Sequence, residues 1–117
     1  MTTEDNYILA LFRIINPYLE SYNRKNKPIL LQHGFNVNSD QWIINSEGMI
    51  GSDGIYRENG AQTLSCNGLN PNRVGNNLGF VLSACGYDVW LGNFRGNQYS
   101  ENHTYLNPKK GILNFQN

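Results

Sequence analysis

The chain has 117 residues, enough for one small domain whose core leaves little stability to spare. Nine Lys plus Arg balance nine Asp plus Glu, and the basic residues are scattered, so no field concentrates phosphates and nucleic acid is not an expected partner. The longest apolar runs, Ile8–Phe12 and Ile29–Leu31, are far too short to cross a bilayer, and the opening Met-Thr-Thr-Glu-Asp-Asn lacks the basic start and apolar stretch of a secretory signal.

In chain order, Glu4-Asp5-Asn6 lies between Thr2-Thr3 and the β-rich run Tyr7–Ile15, which predicts a tight turn joining a clipped first strand to a full second one. Asn16-Pro17 ends that strand, and the polar stretch Glu20–Lys27 is expected to be a surface loop. Pro28–Gln32 is a continuous apolar run that predicts a strand buried on both faces, the kind found in parallel sheets. From Asn36 to Asn76 the sequence is polar and Gly-rich without a sustained period, so a long loop is expected. Asn76-Asn77 offers an N-cap, Leu78, Val81, Leu82 and Cys85 recur at helical spacing, and Gly86 stops the segment. Tyr87–Gly92 is then a second buried strand, completing a strand, helix, strand unit whose strands run parallel. Asn93–Asn117 reads as loop. Two cysteines, Cys66 and Cys85, are too few for a disulfide framework and match no metal spacing, so they are expected to be independent thiols.

Ligands of open α/β sheets bind beyond the carboxyl ends of the strands, which directs attention to the residues after Gln32 and after Leu91. His33-Gly34-Phe35 fits either an ordinary tight turn or an oxyanion loop, in which glycine lets the backbone turn and leaves the next N–H pointing outward. Asn93-Phe94-Arg95-Gly96-Asn97 either rims a site or forms a structural loop in which Arg95 anchors carbonyls or carboxylates. His33 is expected to hold its loop by hydrogen bonds, and His103 to lie in a polar surface stretch; neither is assigned proton transfer. Trp42, Trp90 and Phe94 are expected to pack. Asn102-His103-Thr104 is an N-x-T sequon, silent unless the chain enters the secretory route. Gly92–Gly96 has neither the dinucleotide spacing nor a phosphate-loop lysine, so nucleotide binding is set aside.

Four blocks in one order resemble the acid lipases, the family of lysosomal and gastric lipases. They are Thr2–Leu9, Lys27–Gly34, Ser39–Trp42 and Gly86–Asn97. The resemblance implies the N-terminal part of an α/β-hydrolase fold, with hairpin strands and then strand, helix, strand, spanning residues 1–117. A long loop insertion at 43–77 and an incomplete tail at 98–117 depart from the family, and Asn6 stands where it usually has glycine.

By the same resemblance the Phe35 N–H is the first oxyanion donor, where leucine is more usual, and His33, Gly34, Asn93, Arg95, Gly96 and Asn97 support the motif. The second donor follows the nucleophile in a G-x-S-x-G elbow, which occurs nowhere in the chain, and the acid and histidine of the triad follow that elbow. The implied activity is hydrolysis of neutral lipid esters, triacylglycerols or sterol esters, by a Ser–His–Asp route without metal or cofactor, in a secreted or lysosomal protein. This chain alone is expected to be inactive. The alternatives are a non-catalytic lipid- or partner-binding remnant or a partial gene product. The strand ending at Gln32 is expected to show a bare edge.

Overall fold

A computed structural model describes residues 1–18, 27–59 and 75–107. Most of the expected Glu20–Lys27 loop, Cys66 and residues 108–117 of the tail lie outside the described residues. The N-terminal turn is present: Thr3 N–H donates to Tyr7 C=O at 2.9 Å, Asn6 N–H donates to Thr3 C=O at 3.0 Å, and Thr2 bridges Ile8. Asn6 has φ 68, a left-handed value that asparagine tolerates better than most residues.

The run Tyr7–Ile15 does not form one strand. It divides into β1 (Tyr7–Ile8) and β2 (Leu11–Ile14). The break has a physical cause at Ala10, whose N–H donates to Ser100 Oγ at 2.9 Å instead of continuing a ladder. The chain continues through β3 (Pro28–Gln32), a 3-10 turn at Ser39–Trp42, β4 (Gly48–Ile50), β5 (Tyr56–Glu58), α1 (Leu78–Ala84), β6 (Asp88–Gly92) and β7 (Asn102–His103). The loop-like tail therefore contains a short strand, antiparallel to β1 with Tyr7 opposite His103.

A three-stranded mixed sheet in the order β2-β6-β3 organises the molecule. β3 and β6 run parallel, as the strand, helix, strand pattern requires, with Pro28 opposite Asp88 and Gln32 opposite Gly92; β2 is antiparallel on the other side of β6. Central β6 buries Val89 and Leu91. β3 is not buried on both faces: Leu30 is 58% exposed, and among the described residues β3 pairs on one side only.

Helix α1 packs against β2 and β6. Its buried residues are Gly79, Val81 and Ser83, so a glycine and a serine share the inner face that apolar spacing assigned to Leu78 and Leu82. A Cβ at Gly79 would stand 2.9 Å from Ile14 Cδ1 and 3.2 Å from Trp42 C=O; the absent side chain is what brings the helix this close. Gly86, at φ 86, ends the helix as expected. Cys85 occupies the C-cap half exposed and is disulfide-bonded, which overturns the expectation of independent thiols.

The stretch expected to be unstructured loop between Trp42 and Leu78 contains the β4–β5 hairpin, with Ile50 opposite Tyr56 and Gly54 at φ 75 in its turn. Polar bonds fasten it down. Asn16 Nδ2 donates to Gly54 C=O at 2.8 Å, tying the end of β2 to the hairpin. The Glu58 carboxylate accepts the N–H groups of Asn76 and Asn77, both at 2.8 Å, at the start of α1. Asn77 occupies the N-cap position without capping through its side chain, whose Nδ2 donates to Ser46 C=O and Tyr56 Oη while Oδ1 accepts the Asn45 N–H.

Candidate active site

Because β3 and β6 are parallel and in register, Gln32 and Gly92 finish side by side and the following segments leave the sheet together. Residues His33 to Asn38 and Phe94 to Gln98 line an open cleft of about 480 Å³ at that carboxyl edge. Of the residues singled out in the sequence, His33, Gly34, Phe35, Arg95, Gly96 and Asn97 line it, whereas Asn93 does not.

His33 joins them. The Phe94 N–H donates to His33 Nε2 at 3.0 Å, and Asn97 Nδ2 lies 3.1 Å from the same atom. Asn97 Oδ1 accepts the N–H groups of Tyr99 and Ser100, so its NH₂ faces the imidazole. Two donors at Nε2 place the proton on Nδ1, which sits 2.8 Å from Gly34 C=O and donates to it. His33 is thereby a buried tie with both ring nitrogens engaged.

Asn93 performs the same service from below. Its Oδ1 accepts the Ser39 N–H at 3.1 Å and Asn97 Nδ2 at 2.8 Å, and its Nδ2 donates to Ser39 Oγ at 3.0 Å. Ser100 Oγ donates to Asn93 C=O, and Tyr99 Oη donates to both oxygens of Asp40, at 2.8 and 3.1 Å. That carboxylate holds the Tyr99 phenol above its ordinary pKa, with desolvation adding to it. Ser39, Asp40, Tyr99 and Ser100 escaped sequence reasoning as supports, since a small polar residue in a loop carries no periodic signal of burial.

Phe35 projects from the cleft with its side chain 100% exposed, and its backbone N–H makes no hydrogen bond among the described residues. Val37 and Phe94, at 42% and 54% exposure, extend the apolar lip. Phe94 therefore does not serve packing alone, although its ring meets His33 edge-on at 5.0 Å. The turn beside Phe35 depends on Asn36, at φ 60, rather than on Gly34; a Cβ at Gly34 would meet nothing within 4 Å. Gly96, at φ +87 on the opposite wall, does require glycine.

Among the described residues Arg95 is the one charged side chain lining the cleft, and it is drawn off to the Asp5 carboxylate, with its guanidinium 4.7 Å from the Tyr7 ring centre. Hydrogen bonds from Thr3 and then Arg95 hold the Asp5 carboxyl below its ordinary value. Arg95 thus anchors the N-terminal turn, the structural alternative read from sequence. His103 lies outside the cleft, edge-on to Tyr7 and Tyr105.

Among the described residues, no Ser, Thr, Cys, Asp or Glu lines the cleft. The described lining residues offer backbone donors and apolar surface, and both ring nitrogens of His33 are already engaged. Among the described residues, no three His, Cys, Asp or Glu side chains gather as a metal-binding group, and no helix is long and apolar enough to cross a membrane.

Residues 1–46, which carry the N-terminal turn, β3 and the first wall of the cleft, match the family model described as the partial alpha/beta-hydrolase lipase region. Over most of its length the chain is similar to lipases of the α/β-hydrolase class. It is 38% identical over 110 residues to lipase member J of Homo sapiens, covering 91% of this chain and 22% of that protein. It is likewise 38% identical over 110 residues to lipase member K of Mus musculus, covering 92% of this chain and 20% of that protein. With gastric triacylglycerol lipase of Rattus norvegicus it shares 35% identity over 109 residues, covering 92% of this chain and 21% of that protein. The chain spans about a fifth of the length of the curated relatives it matches.

Proposed function

We propose that this region supplies the first oxyanion donor of a lipase for neutral lipid esters, triacylglycerols or sterol esters, in a secretory-route protein. The observation that carries the reading is the Phe35 N–H, without a hydrogen-bond partner among the described residues, beside the apolar side chains of Phe35, Val37 and Phe94 at the carboxyl edge of a parallel strand pair. An ester carbonyl seated there gains negative charge as it becomes tetrahedral, and a donor already held in place stabilises that charge without reorganising. The ties through His33, Asn93 and Asn97 supply that rigidity.

Acyl transfer also needs a nucleophile, a base and a second donor, and these 117 residues lack the G-x-S-x-G elbow that provides the first and last. The chain alone is therefore inactive: purified, it leaves a short p-nitrophenyl ester at the background rate. Turnover by the chain that a serine-directed phosphonate abolishes would overturn this. In a complete lipase carrying this region, Phe35→Pro removes the donor and lowers kcat on the order of 10²- to 10³-fold, whereas Phe35→Ala keeps it and costs far less. Equal losses from both variants would assign the role to the side chain instead.

A further inference from the structure

We infer that Asn102 is an N-glycosylation site. Asn102-His103-Thr104 is the only N-x-S/T triplet in the 117 residues. Asn102 and Thr104 are both exposed, and the Asn102 side-chain amide makes no hydrogen bond among the described residues. Strand alternation explains the difference from its neighbour: the His103 ring is held edge-on between Tyr7 and Tyr105, with Nε2 3.0 Å from Asp5 C=O. The acceptor amide is left uncommitted on the open side of β7.

A separate observation supplies the compartment. Cys85 is disulfide-bonded, and such bonds form and persist in the oxidising secretory route, where glycosylation of asparagine takes place. Space agrees as well. Glu101 to Asn107 line their own open, mainly polar hollow of about 380 Å³, and none of them lines the cleft between His33 and Gln98. The sequon thus lies apart from the residues that line the cleft, and the inference does not rest on the catalytic reading.

In the transfer, Asn102 Nδ2 bonds to the anomeric carbon of a lipid-linked oligosaccharide diphosphate. The bond from that carbon to the diphosphate oxygen breaks, the lipid diphosphate leaves with its electron pair, and Nδ2 gives one proton to a base of the transferase.

The test is translation of the 117-residue chain behind a cleavable secretory signal, with and without microsomes. The expected result is one upward step in apparent mass, present only with microsomes and removed by peptide N-glycosidase. That treatment converts Asn102 to Asp in the recovered peptide. The step disappears in Asn102→Gln and in Thr104→Ala and persists in His103→Ala. A chain that is protease-protected inside the microsomes, with Cys85 oxidised, yet shows no glycosidase-sensitive step would overturn the assignment. So would a step that survives Asn102→Gln.

Discussion

His33 Nε2 accepts the backbone N–H of Phe94 at 3.0 Å, and this bond joins the segment after β3 to the segment after β6. The Phe94 N–H has no other acceptor among the described residues, Asn97 Nδ2 gives its second proton to Asn93 Oδ1 at 2.8 Å, and His33 is buried. His33→Leu therefore leaves the Phe94 N–H and one Asn97 amide proton short of a partner, at a cost of about 1–3 kcal/mol in a urea titration. His33→Gln, whose Oε1 can reach the same donors, recovers part of that loss. In a complete lipase the same pair separates positioning from stability: His33→Leu lowers kcat more than it changes KM, because a donor displaced by about 1 Å can cost 10²-fold. A stable His33→Leu variant with unchanged kcat would remove His33 from the site's support.

The two cleft glycines make opposite demands. Gly96 has φ +87 with open space around it, so Gly96→Ala meets no clash but places a side chain in the left-handed region, costing about 1–2 kcal/mol. Gly34→Ala meets neither strain nor contact and changes stability by less than about 0.5 kcal/mol. Thermal melts of the two variants check the contrast, and equal destabilisation would mean the Gly34 backbone is more constrained than its surroundings indicate.

Legibility in the sequence followed the kind of signal involved. The β3, α1, β6 unit was readable because continuous apolar runs and helical spacing have a period, and the carboxyl ends of its strands directed attention to the segments that contribute His33–Phe35 and Phe94–Asn97 to the cleft. Features set by single polar bonds were not. The break between Ile8 and Leu11 depends on Ser100 meeting the Ala10 N–H across 90 positions of sequence. The β4–β5 hairpin is fixed by Asn16, Glu58 and Asn77, none of which announces burial in a polar, Gly-rich stretch. The state of Cys85 was likewise beyond composition, since two cysteines pair or not according to geometry and compartment.

Glu58 makes the hairpin's attachment pH-dependent. Burial alone pushes its carboxyl upward, but the N–H groups of Asn76 and Asn77, with the Ser46 and Tyr56 hydroxyls, outweigh it and hold the group below its ordinary value of 4.5. A carboxyl whose folded value is depressed contributes stability above its unfolded value and loses that contribution as pH falls through the folded one. The urea midpoint of the unsubstituted chain should therefore drop more steeply below pH 4.5 than that of Glu58→Gln. Asp53, lowered to about 2 chiefly by Arg57, and Asp88, lowered chiefly by Arg13, are common to both proteins and cancel in the comparison. Parallel pH curves would show that Glu58 is not the group involved.

Gly79 tests the contact between α1 and the sheet. In an unhindered helix, Gly→Ala gains about 1 kcal/mol. Here the added methyl would stand 2.9 Å from Ile14 Cδ1, 3.1 Å from Ile43 Cγ2 and 3.2 Å from Trp42 C=O. Ile14 can rotate away, but the Trp42 carbonyl is backbone, fixed at the end of the 3-10 turn that also carries the Ser39 support of Asn93. Overpacking of this kind costs about 1–3 kcal/mol, so the clash outweighs the propensity gain and Gly79→Ala destabilises by about 1 kcal/mol. Ile14→Val removes the nearest atom, and in that background Gly79→Ala should cost less, giving a coupling between the two sites that independent positions do not show. If Gly79→Ala stabilises the chain on its own, the helix stands further from β2 than the close contact at Ile14 requires.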